Sequence, residues 1–141
     1  MKTILLLLWL PTAALAQKKA ELPIAATDST YGYTALNPLR LKQGDLYKSM
    51  ALAEVFLHNL RTSDDQPLRL ITRFSVKDPG YKRPAIALTD RYTGLPLNGK
   101  LSMMDLYIFR TASNDTLRLF VDVSSKGPKL VPVGLKYVGF Q

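Results

Sequence analysis

The chain predicts an α+β fold, with one amphipathic helix packed on a mainly antiparallel sheet of three to five strands. Three observations carry that prediction. Apolar residues recur at helical spacing in one window, residues 45–61. The pattern changes to period two over residues 68–74. Two strongly β-prone runs, 104–109 and 116–123, then follow with a short polar stretch at 111–115 between them.

Residues 1–16 read as a secretory leader: Lys2, the apolar run from Ile4 to Leu10, then Ala14, Leu15 and Ala16 before Gln17. That run is far shorter than the ~20 residues needed to cross a bilayer. The expectation is an exported protein, periplasmic or extracellular, with no membrane span once the leader is removed. Residues 17–30 lack apolar periodicity and are expected to form a mobile N-terminal arm, with the domain proper at 31–141. Tyr31, Gly32, Tyr33 and the Asn37-Pro38 pair suit extended backbone, because the residue before proline is pushed out of helical geometry. Leu39 and Leu41 alternate with Arg40 and Lys42, which predicts a short first strand at 39–42.

The helix is expected at 45–61, with Asp45 as N-cap after Gly44, and with His58 and Arg61 favouring the C-terminal dipole. At 100° per residue Leu46, Met50, Leu52, Ala53, Phe56, Leu57 and Leu60 fall within an arc of roughly 160°, interrupted only by Ser49. Tyr47, Lys48, Glu54, His58, Asn59 and Arg61 lie on the wet side. Beyond the polar loop 62–67, Leu68, Leu70, Thr72 and Phe74 alternate with Arg69, Ile71 and Arg73, which predicts a half-buried strand with a basic outer face. Asp78-Pro79-Gly80 is a turn, 85–89 a weak strand and 90–100 a loop. The runs at 104–109 and 116–123 should form an antiparallel hairpin with Leu117, Leu119, Val121 and Val123 inward and Arg118, Phe120 and Asp122 outward. Pro128 and Pro132 confine any strand in the tail to an edge.

The Tyr31-Gly32-Tyr33 and Asn37-Pro38 motifs, the helix end Phe56-Leu57-His58-Asn59-Leu60-Arg61, the strand Asp105-Leu106-Tyr107 and the close Pro132-Val133-Gly134-Leu135 together resemble a family of small exported proteins of unassigned function from Bacteroidota-type bacteria. The resemblance spans most of the chain after the leader and implies an exported α+β domain without naming a site. Family members often carry cysteines in the middle segment, and this chain has none, so no redox role carries over. An aldolase label attached to some members does not transfer either: a (β/α)₈ barrel needs ~200 residues or more, against 141 here.

The net charge of +8 owes one lysine to the leader, so the excess belongs to the domain. Export and the scatter of its basic residues argue against nucleic acid as the partner and for anionic envelope material or an acidic protein surface. A metal centre is not expected, since the chain holds one histidine and no cysteine, and the adjacent Asp64 and Asp65 read as solvated turn residues. His58 is the sole imidazole available to a nucleophilic triad; with Glu54 one turn before it, it reads as a surface pair. The glycines of 94–99 are not followed by the Lys-Ser/Thr of a phosphate loop. No cofactor is expected, and no catalytic residue is assigned.

Recognition remains. Arg69 and Arg73 are expected on one strand face with Arg118 near them, and with Tyr107, Phe120 or Phe109 adding aromatic surface, a mixture enriched at interfaces. The competing expectation is that these arginines pair with Asp105 and Asp122 on neighbouring strands. Asp28-Ser29-Thr30 and Asp115-Thr116-Leu117 also match a short O-glycosylation pattern of exported proteins. The expected function is a non-enzymatic binding module of the cell envelope, engaging an envelope protein or an anionic glycan through a sheet face or an exposed edge. The alternatives are a small carboxylate-dependent hydrolase or lyase of envelope carbohydrate, and an inhibitor or structural subunit of another exported protein.

Overall fold

The computed structural model describes residues 22–97 and 100–139, so the expected leader lies outside the described residues. The elements run β1 (Leu39–Arg40), α1 (Leu46–His58), β2 (Leu60–Thr62), β3 (Arg69–Lys77), β4 (Met103–Arg110), β5 (Thr116–Asp122) and β6 (Leu135–Tyr137). One sheet has the order β1-β5-β4-β3, antiparallel except where β1 pairs parallel with β5, and a small antiparallel sheet joins β2 to β6. The α+β expectation therefore holds, with the helix on one face of a four-stranded sheet.

The start of α1 follows from two residues. Gly44 takes a left-handed φ of 66°, and Asp45, extended at φ −80° and ψ 177°, turns its side chain back to accept the Lys48 amide at 2.8 Å. Replacing Asp45 with alanine should cost about 1 kcal/mol, read from the urea midpoint. Ser49, the polar interruption in the apolar arc, is buried because its hydroxyl donates to the Asp45 carbonyl at 2.7 Å and accepts the Gln43 amide at 2.9 Å.

The helix ends three residues before the expected boundary. Leu60 continues the apolar pattern and is fully buried, but it does so as a strand residue opposite Tyr137 in the small sheet. Asn59, expected on the wet side, is buried where its carbonyl accepts the Val138 amide at 2.9 Å. Phe56 packs against the Tyr137 ring at 5.2 Å and ties the helix to β6.

The core lies between α1 and one sheet face. Ala53, Phe56 and Leu57 meet Tyr107 and Phe109 of β4, Leu119 and Val121 of β5, and Leu39 and Leu41 at β1. The hairpin parity is as expected, with Leu119 and Val121 fully buried. Asn114 turns the hairpin loop at φ 69°, a left-handed value that asparagine tolerates.

Two expectations give way here. Residues 85–89 form no strand; Thr89 makes an isolated bridge to Pro96, and the Asp90 carboxylate immediately gathers the Tyr92 and Thr93 amides into a turn. Residues 22–30 are not a separate arm. Ala26 is buried and bonds Val131, whose own amide bonds Ile24, and Asp28 accepts from Thr30 and Asn37. Such a pairing between segments about a hundred residues apart leaves no local period to read. Residues 17–21 lie outside the described residues.

Candidate functional site

β3 is the edge of the sheet, and among the described residues its only strand partner is β4. Eight of its nine residues are exposed, including Leu70 at 50%, Ile71 at 47% and Phe74 at 46%. Edge strands of this length normally carry protection, because their outer row of N–H and C=O groups is a template for another strand.

A bulge decides which way its side chains point. Arg69 stands opposite Arg110 and Leu70 opposite Phe109, but Thr72 is next, opposite Ile108, so Ile71 has no partner on β4. Parity inverts there. Arg73, opposite Tyr107, therefore faces the α1 side, while Arg69 faces away from it. The expectation that Arg69 and Arg73 share a face is corrected by this one extra residue.

The five expected interface residues accordingly divide. Arg73 and Tyr107 stand on the α1 side, and Tyr107 is a core residue at 4% exposure rather than aromatic surface. The Arg73 guanidinium lies 5.2 Å from the Tyr107 ring centre and donates to Asp105 at 2.8 Å, with Ser75 also donating to that carboxylate. Burial pushes the Tyr107 hydroxyl above its ordinary value, and the nearby guanidinium offsets this only partly.

Arg69, Arg118 and Phe120 share the opposite face, on which Phe120 is half-buried. Arg110 joins them. It lies directly opposite Arg69, and Arg118 is one step in, opposite Ile108. Among the described residues none of these three arginines forms an ion pair. The expected pairing with Asp105 and Asp122 is thus realised for Arg73 alone. Arg110 was missed because the apolar run stops at Phe109; the signal that could have found it is the hairpin register, which carries β4 one residue further.

On the α1 side, Glu54, Leu57 and His58 of the helix face Leu68, Leu70, Arg73, Tyr107 and Phe109 across a cleft of about 340 Å³. Its floor is apolar, and carboxylate, imidazole and guanidinium sit at its rim. Glu54 and His58 are exposed there, with no ion pair between them among the described residues. Leu70 and Arg73 of β3 line this cleft, which places it next to the sheet edge.

Asp122, expected outward, is on the outward face but buried at 1% exposure, because the loop between β3 and β4 closes over it. Lys100 of that loop places its ammonium between Asp122 Oδ2, at 3.2 Å, and Oδ2 of the equally buried Asp78. Among the described residues neither Oδ2 has another hydrogen-bond partner. Asp122 Oδ1 accepts the Ser124 amide and hydroxyl and the Ser125 amide. Burial would raise the Asp122 carboxyl, but these hydrogen bonds and the Lys100 charge outweigh it and hold it below the usual range. This closed triad fastens the loop to the sheet.

Asp64 and Asp65 are exposed loop residues, with Asp65 paired to Lys136 at 3.4 Å. Among the described residues no cluster of three or more His, Asp or Glu could hold a metal ion, and no helix is long and apolar enough to cross a membrane. No family model, curated protein or solved structure matches this chain.

Proposed function

We propose that the protein is an exported, non-enzymatic binding module of the cell envelope, and that it engages a protein partner by accepting an extended segment along β3. The observation that carries this reading is the strand itself: nine residues at the sheet edge, eight of them exposed, with Leu70, Ile71 and Phe74 presented to solvent. Strand addition draws affinity from main-chain hydrogen bonds and specificity from alternate side-chain sites, and the α1 cleft beside β3 supplies such a site. Export rests on the leader-like residues 1–16.

Crosslinking the tagged full-length protein in intact exporting cells, then identifying what is attached by mass spectrometry, tests this. The expected result is one abundant envelope protein, with recovery reduced at least fivefold by Ile71→Lys combined with Phe74→Lys. Recovery unchanged by that pair would place the working surface elsewhere. Both positions are exposed, so the substitutions should leave stability within about 0.5 kcal/mol of the parent.

A further inference from the structure

We infer that the segment β3 receives has an apolar centre and acidic residues at both ends. This rests on the binding reading above and adds the chemistry of the partner.

β3 is cationic where it begins and ends, at Arg69 and Lys77, and apolar between them at Leu70, Ile71 and Phe74. From Gln66 to Lys77 there is no acidic residue. Arg73 in the middle is occupied by Asp105, whereas Arg69 and Lys77 have no ionic partner among the described residues. The Arg69 end is more strongly charged than the strand alone indicates. Arg110 stands directly across from Arg69 on the same face, with Cβ atoms about 5 Å apart, an arrangement of like charges that is unfavourable until an anion joins it. Arg118 adds to the same field from β5.

A strand added outside β3 lies about 4.8 Å from it. A glutamate or aspartate beside Arg69 is then within reach of both the Arg69 and the Arg110 guanidinium groups, and a second acid at the other end meets Lys77. The central residues of the added strand face Leu70 and the α1 cleft on one side and Phe74 on the other.

A second copy of this chain is a poor occupant. Two β3 strands would bring Arg69, Arg73 and Lys77 of both molecules together along one seam, between chains that are each strongly cationic even without Lys2 of the leader. Antiparallel pairing centred on Arg73 sets each Arg69 against Lys77 of the other copy.

The test measures fluorescence anisotropy of three labelled nine-residue peptides with a common Val-Thr-Val-Thr-Val centre and two glutamates, two serines or two lysines at each end. The exported protein is expected to bind the glutamate peptide at least tenfold more tightly than the serine peptide and the lysine peptide most weakly. The double variant Arg69→Glu, Lys77→Glu should invert that order. N-methylation of alternate peptide amides should abolish binding, since the edge is read through the backbone.

Equal binding of the glutamate and serine peptides overturns the acidic partner. If crosslinking in cells still captures a protein through β3, the binding-module reading survives that result. Concentration-dependent dimerisation removed by Ile71→Lys would assign the edge to a second copy. Tight binding of polygalacturonate, with no preference among the peptides, would assign the arginines to an acidic glycan. Either result also overturns the inference.

Discussion

Replacing Lys100 with methionine is expected to destabilise the fold by about 3 kcal/mol, the low end for removing one partner of a buried ion pair, because Lys100 itself is 31% exposed. The loss arises from what is left behind. Asp78 and Asp122 are at most 2% exposed, and each would keep an Oδ2 with no cation near it. Adding Asp122→Asn should recover part of the loss by removing one of the two stranded charges. Urea denaturation at pH 7 measures both variants, and a Lys100→Met cost below 1 kcal/mol would show that the triad contributes little.

The same triad sets two pH limits. Asp122 is held below its ordinary value of 3.8, so its contribution is present above that pH and is lost as pH falls through the lower folded value. Lys100 is raised above 10.5, burial being outweighed by Asp78 and Asp122, so its contribution is present below that pH and is lost as pH rises through the folded value. Stability from this site should therefore be flat across neutral pH. In Lys100→Met the deficit should narrow as pH falls, because protonation of Asp122 relieves a stranded charge.

Leu119→Ala should cost about 3 kcal/mol, since its side chain is fully buried between β5 and α1 and leaves a cavity the surrounding core can only partly close. Its neighbour Arg118 points the other way and is exposed, so Arg118→Ala should change stability by less than about 0.5 kcal/mol. Thermal unfolding of the two variants checks the parity on which every face assignment here depends. Comparable losses would mean that β5 is turned over.

The elements with strong local signals were legible in the residues. Asp45 and the apolar spacing from Leu46 to Leu57 marked the helix, and the β-prone runs around the Asn114 turn marked the hairpin and its buried row. What stayed hidden was non-local. Leu60 satisfies the helical period yet belongs to a strand, because Tyr137 pairs with it. Ala26 is held by Val131, and Asp122 is enclosed by a lysine from a distant loop.

The site shows the same division. Arg69, Arg118 and Phe120 were brought to one face as alternation implies, but the alternation of β3 breaks at Ile71, and a bulge has no signature in a run such as Leu70-Ile71-Thr72-Arg73. That extra residue sends Arg73 to the helix side, where Asp105 takes its charge, and leaves Arg69 with Arg110 on the other.

The claim that a partner adds a strand along β3 is tested most directly by placing a photoreactive p-benzoylphenylalanine at Ile71, which has no partner on β4, and separately at Tyr47, which is 80% exposed on α1. Irradiating exporting cells should give one discrete protein adduct from the Ile71 position and none from Tyr47. An adduct from Tyr47 with none from Ile71 would contradict the account.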